Sequence, residues 1–119
     1  MPIKKTNPDF LNGVPELLVL QLLNRQPMHG YDLVQAIHTA SGQKLDFGEG
    51  CIYPVLHRLE AQQFLAGKRE LVNGRNRIVY RVTKQGARRL ADIRINWQDV
   101  VAAISTVLQG SEHGEPKLA

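Results

Sequence analysis

The feature that most constrains the fold is a helical segment followed at once by a basic hairpin, between Gly50 and Arg81. The segment carries apolar residues at helical spacing, so one face should pack and the other should stay exposed. These apolar residues are Ile52, Val55, Leu56 and Leu59. After it, Asn73-Gly74 lies between two runs with β-branched residues, which indicates a hairpin because both turn residues tolerate a positive φ. This order predicts a winged-helix DNA-binding domain.

The distribution of charge favours a polyanionic partner. The net charge of the 119 residues is +4, but residues 48–94 carry ten Lys or Arg against four Asp or Glu. The rest of the chain has five basic and seven acidic residues. Lys and Arg contacts to phosphates release counterions and supply most sequence-independent affinity for nucleic acid. The alternative on charge alone is a solvated basic face.

Composition excludes several other classes. The length fits one domain, and no apolar run is long enough to span a membrane, so we expect a cytoplasmic protein without a membrane partner. The single cysteine, Cys51, cannot form an intramolecular disulfide, and the four histidines are scattered, so we expect neither metal nor cofactor. Cys51 is either a redox sensor at a helix start or a small buried residue. No catalytic motif is present, so we expect no enzyme and no catalytic residues.

The chain divides into four parts by its periodicity. Residues 1–11 are polar and aperiodic, which predicts a flexible N-terminal arm. Residues 12–83 hold three helices and the hairpin, and Thr83 is a candidate N-cap for a last helix over 84–108. Residues 109–119 are polar and Gly-rich, which predicts a disordered tail. The predicted fold is mainly α with a small β-hairpin: a winged helix-turn-helix domain followed by a long dimerisation helix.

The last helix carries an apolar seam whose members step by three and four residues. They are Leu90, Ile93, Trp97, Val100, Ile104 and Val107. A helix with this heptad pattern has more apolar surface than a small domain can cover. We therefore expect a homodimer, in which a second copy buries that surface. The alternative is that the seam packs only on its own chain. In a homodimer, Trp97 would be an interface anchor, or would line a pocket with its partner copy for a flat hydrophobic ligand.

Three separated segments resemble the PadR family of winged-helix transcriptional repressors. They are Pro27-Met28-His29-Gly30-Tyr31-Asp32-Leu33, the helix from Gly50 to Glu60, and the hairpin strand and helix start from Gly74 to Gly86. The resemblance implies a homodimer that binds a palindromic operator through the third helix and the hairpin. It also implies that an aromatic or hydrophobic effector releases the protein from the DNA. Relatives usually carry Ser at Gly48 and Thr at Cys51, so this chain lacks one helix cap and one hydroxyl. The single C-terminal helix resembles the short branch of the family.

Candidate DNA-binding residues follow from these placements. Tyr53, His57 and Arg58 lie on the polar side of the third helix, and Gly50 lies at its N-terminus, where free N–H groups suit a phosphate. The hairpin contributes Lys68, Asn73, Arg75 and Arg77. Arg58 could instead pair with Glu60 or another acid, and His57 could pack. The competing function is a winged-helix protein-interaction module without sequence-specific DNA binding.

Overall fold

A computed structural model of the chain describes residues 13–110. Its elements are α1 (Val14–Arg25), β1 (Met28–His29), α2 (Gly30–Ala40), α3 (Glu49–Ala61), β2 (Leu65–Val72), β3 (Arg75–Val82) and α4 (Lys84–Gln109). The predicted helices and hairpin are confirmed, and α4 extends one residue beyond its predicted end. The predicted N-terminal arm, and the predicted tail from residue 111 onward, lie outside the described residues.

The hairpin of β2 and β3, here called the wing, forms through the predicted turn. Asn73 and Gly74 have φ values of 50° and 79°, as a type I′ turn requires, and the strands pair from Val72 opposite Arg75. Each strand is eight residues long. The wing is therefore a regular two-stranded ribbon with its basic tip far from the core.

The sheet has a third strand, which corrects the expectation of a hairpin alone. β1 pairs antiparallel with β3, with Met28 opposite Tyr80, in the order β1-β3-β2. Two residues are too few for the period-two pattern by which a strand is identified in sequence. β1 joins the base of the wing to the start of α2.

The core forms where α1 packs among the other helices and the base of the sheet. Val19 and Leu20 of α1 are fully buried, because this helix is covered on more than one side. Leu33 of α2, Ile52 of α3 and Leu65 of β2 pack in the same cluster. Tyr80 of β3 is also buried. α3 is held from behind by this core, so its position depends on α1 and α2.

The start of α4 is fixed tightly to the domain. Thr83 accepts a hydrogen bond from the N–H of Gly86 at 3.0 Å, which confirms it as the N-cap. A Cβ on Gly86 would collide with the carbonyl oxygen of Phe64, so only glycine allows this approach. Leu90 is 3% exposed and lies in the core, with Ile93 packed partly against it. The prediction that Leu90 belongs to a free dimer seam is therefore wrong.

Beyond Ile93, α4 leaves the domain and exposes the rest of its apolar seam. The exposed members are Trp97, Val100, Ile104 and Val107. These four side chains keep between 37% and 79% of their surface exposed, so residues 13–110 do not bury them. The overall extents of 66 × 39 × 21 Å reflect an elongated shape. No helix in the described part of the chain is long and apolar enough to cross a membrane.

Candidate nucleic-acid interface

The outward face of α3 is a narrow stripe at helical spacing. Gly50, Pro54 and His57 are exposed on it, while Leu56 and Leu59 are buried on the opposite side. The exposure of Pro54 was not predicted. The N-cap of α3 is Gly48, which makes no side-chain cap bond. This confirms the expected loss of a cap, so the first N–H groups of α3 keep no side-chain partner there.

A cleft of about 250 Å³ separates α3 from the wing. On the helical side it is lined by His29, Gly30, Tyr53 and His57, and on the wing side by Asn76, Arg77, Ile78 and Tyr80. The structure therefore brings together Tyr53, His57 and Arg77, three of the predicted DNA-binding residues. We call this space the α3–wing cleft.

Tyr53 is half-buried within this cleft. Its ring lies directly against the backbone of Gly30, where there is no room for a side chain, and its centroid is 6.3 Å from that of His57. The ring thus anchors α3 against the start of α2. His57, by contrast, is exposed.

The wing carries basic residues that differ in how freely they can act. Arg81 is paired with Glu70 at 2.6 Å, near the base of the ribbon. Lys68 and Arg75 are exposed and Arg77 is half-buried, and no salt bridge within residues 13–110 engages any of the three. Asn73, in the turn, is also exposed. The tip of the wing therefore presents uncompensated positive charge.

Arg58 makes the ion pair that the sequence had left open. Its Nη1 lies 3.2 Å from Oε1 of Glu16, whose side chain is only 9% exposed. The other oxygen of Glu16 accepts from Nε of Arg89 at 2.8 Å. The two partners of Glu16 are 42 and 73 residues away along the chain, so no local pattern in the sequence reveals these contacts.

Burial raises the pKa of two groups near the interface, Cys51 and Tyr80. Burial raises the pKa of the Cys51 thiol, which lowers the thiolate fraction and argues against a redox sensor. Burial, and then the carboxylate of Glu60, raise the pKa of Tyr80, as suits a core residue. No group of His, Cys, Asp or Glu in the described residues could hold a metal ion.

A helix-turn-helix whose third helix lies beside an exposed basic hairpin defines a winged-helix transcriptional regulator. The sequence pattern of the Transcriptional regulator PadR-like family matches residues 19–92, more than half of the chain. The chain belongs to the PadR-like family of transcriptional regulators. This confirms the resemblance found in the sequence, and membership of a family of regulators also separates the chain from enzymes.

Individual relatives agree with this assignment. A transcriptional regulator of Mycobacterium tuberculosis is 31% identical over 105 residues, covering 88% of this chain and 92% of the relative. The transcriptional regulator YqjI of Escherichia coli is 34% identical over 85 residues, covering 71% of this chain but only 40% of that longer protein.

Solved structures agree in fold as well. The crystal structure of a PadR family transcriptional regulator from Eggerthella lenta has a TM-score of 0.73 and 28% identity, covering 85% of this chain and 87% of that chain. A PadR-like transcriptional regulator from Bacillus cereus gives a TM-score of 0.74 and 25% identity, covering 85% and 97%. The family match and the solved structures together confirm the winged-helix fold.

Proposed function

We propose that this protein is a cytoplasmic transcriptional repressor that binds a palindromic operator as a homodimer. Residues 12–83 would form the DNA-binding domain and residues 84–108 the dimerisation helix. The observation that carries the proposal is that His57 of the exposed stripe of α3 and Arg77 of the wing line one cleft. A major-groove helix beside a phosphate-binding ribbon needs this arrangement.

Each predicted contact takes a role from its place in the structure. His57, exposed where the stripe borders the cleft, is the best-placed side chain for base edges, and Tyr53 supports it from the cleft. Gly50, in the first turn of α3, leaves room for a phosphate at the helix N-terminus. In the wing, Lys68, Asn73, Arg75 and Arg77 would bind phosphates or enter the minor groove.

Arg58 is assigned differently from the other candidates. Its side chain is 47% exposed, so part of the guanidinium group can reach DNA. Because Nη1 is paired with Glu16, only the remaining N–H donors are available for that contact. We therefore place it at the edge of the interface.

The exposed end of α4 is the proposed dimer interface. Trp97, Val100, Ile104 and Val107 lie on one side of the helix and are uncovered in the described chain. An apolar stripe with heptad spacing is buried most simply against the same stripe of a second copy.

An effector site is proposed beside Trp97. This is the only tryptophan, and it keeps 37% of its surface exposed on the seam. In a dimer, two such rings would face a shared apolar space in which a flat hydrophobic or aromatic molecule could stack. Replacement of Trp97 by Phe should keep dimerisation and weaken the release of DNA by such molecules. Loss of both together would leave Trp97 as an interface anchor only.

The proposed function is tested by selection from a pool of random DNA duplexes with the full chain. A dimeric repressor should enrich an inverted repeat whose half-sites are about one helical turn apart, roughly 10 base pairs. Enrichment of a single half-site would contradict the dimer. A pool that stays random under the same conditions would favour a protein-interaction module.

A further inference from the structure

Glu16 links two helices that otherwise meet little. It lies in the first turn of α1, and α1 packs against both α3 and α4. Its Oε1 accepts from Arg58 of α3 at 3.2 Å, and its Oε2 accepts from Arg89 of α4 at 2.8 Å. One carboxylate therefore connects the helix proposed to read DNA with the helix proposed to make the dimer.

The two hydrogen bonds of Glu16 restrict the orientation of α3 and α4 as well as balancing charge. Each carboxylate oxygen is used by a different guanidinium, so a rotation of either helix would break one hydrogen bond. The guanidinium carbon of Arg89 also lies 5.7 Å from the ring centroid of Phe64, which limits where that side chain can go. Because the side chain of Glu16 is only 9% exposed, the two guanidinium groups replace most of the water that would otherwise contact its carboxylate.

The cluster is also distinct from the other carboxylate pairs of the structure. Glu70 pairs with Arg81 between neighbouring strands of the wing, and Asp32 pairs with His29 within one turn. Both of these join groups that the backbone already holds together. Among the salt bridges of residues 13–110, only those of Glu16 join different helices.

We propose that Glu16 is a positioning residue for operator recognition: through Arg58 and Arg89 it fixes α3 relative to α4, and so sets the distance between the two recognition helices of the dimer. This inference rests on the proposed function, because it requires that α4 forms the dimer and that α3 binds DNA. In a symmetric dimer, a tilt of α3 on α4 is applied twice and changes the half-site spacing that fits.

The first test measures the separation of the two recognition helices without DNA. A nitroxide is attached to the cysteine of an Ala61→Cys variant; Ala61 is an exposed residue of the last turn of α3. Cys51→Ser removes the native cysteine, so that only this position is labelled. Pulsed electron spin resonance on the dimer should give one narrow distance distribution. Glu16→Gln should shift or broaden it, because the neutral amide cannot accept from two guanidinium groups with both of its ends.

Two further variants separate positioning from charge and from folding. Asp92→Asn, at an exposed acid of α4 without a salt bridge in the described residues, makes the same change of net charge and should leave the distribution narrow. Arg89→Gln, at a half-exposed side chain, should broaden it as Glu16→Gln does. The double variant should be no broader than either single one, because both break the same link.

The second test uses duplexes that carry the selected half-site at a series of spacings. Wild-type protein should prefer one spacing, and Glu16→Gln should reduce that preference at least fivefold, a typical coupling between two sites, while binding to random duplex is unchanged. An unchanged spacing profile and distance distribution in folded Glu16→Gln dimers would overturn the inference alone. A wild-type chain that gives no dimer distance and selects no sequence would overturn the proposed function, and the inference with it.

Discussion

The basic side chains of the wing differ in what they can contribute, although they look alike in the sequence. Arg81 is committed to Glu70 at the base of the ribbon, whereas Arg75 lies next to the turn with no salt bridge in the described residues. A phosphate contact by Arg81 would first have to break an existing pair. The candidate DNA contacts are therefore the basic side chains that have no salt bridge in the described residues, and not every basic side chain of the wing.

Replacement of Arg75 by Ala should weaken binding to all duplexes by a similar factor. Loss of one phosphate contact should also lower the slope of log affinity against log salt concentration by about one. Titrations of specific and random duplex over a range of salt would measure both quantities. Arg94→Ala, at an exposed position of α4, removes the same charge and should leave the slope unchanged. If Arg75→Ala and Arg94→Ala weakened DNA binding equally, the weaker binding would result from the change of net charge and not from a lost phosphate contact.

Cys51 should behave as a poorly reactive thiol. Burial raises its pKa above the ordinary value of 9.0, so the folded chain favours the neutral form. That contribution to stability is complete below pH 9.0 and is lost as the pH rises through the raised pKa. At neutral pH, alkylation of Cys51 by iodoacetamide should be slower than that of a short cysteine peptide. A faster reaction would restore the redox hypothesis.

At the level of the elements, the start of α4 depends on one threonine. Thr83 accepts from Gly86 N–H at 3.0 Å and donates to the carbonyl of Gln63 at 2.7 Å, so it joins α4 to the turn that follows α3. Replacement of Thr83 by Ala should lower the free energy of unfolding by about 1 kcal/mol, measured by chemical denaturation.

A matched threonine lies later in the same helix. Thr106 donates only to Ala102 within α4, at an exposed position, so its replacement by Ala should change the free energy of unfolding by less than about 0.5 kcal/mol. If both substitutions had the same small effect, Thr83 would not be a stabilising cap.

Elements with strong local signals could be predicted from the sequence, and those that depend on distant partners could not. The turn at Asn73-Gly74 and the cap at Thr83 are set by the conformational preferences of the residues themselves. β1 exists only because β3 offers it a free edge.

The same distinction holds within the candidate site. The stripe of α3 follows from helical spacing, so His57 was placed correctly on the exposed face. The pairing of Arg58 and the burial of Leu90 depend on how α1 and α4 pack, which spacing along one helix cannot reveal. The roles of the DNA-binding residues stay predictions until they are measured.

At the scale of the whole molecule, the second half of α4 exposes an apolar seam that the described part of a single chain does not bury. Ile104 is exposed on the seam, so replacement by Glu should place a charge in the proposed interface without disturbing the fold. We expect dimerisation to weaken at least about tenfold, the cost of losing an interface anchor, measured by sedimentation equilibrium.

Ala102→Glu is the matched control for this change. Ala102 is exposed on the side of α4 away from the seam, so it should not affect dimerisation. Dimers that persist in Ile104→Glu but not in Ala102→Glu would place the interface on the other side of the helix.

In the proposed function, a dimer of this chain binds DNA specifically through α3 and the wing. Fluorescence anisotropy would test this with DNA from upstream of its own gene and with a shuffled duplex of the same composition, at low and moderate salt. Both affinities should fall as salt rises, while the preference for the upstream duplex should persist with two chains bound per duplex. Equal affinity for the two duplexes at both salt concentrations would contradict it.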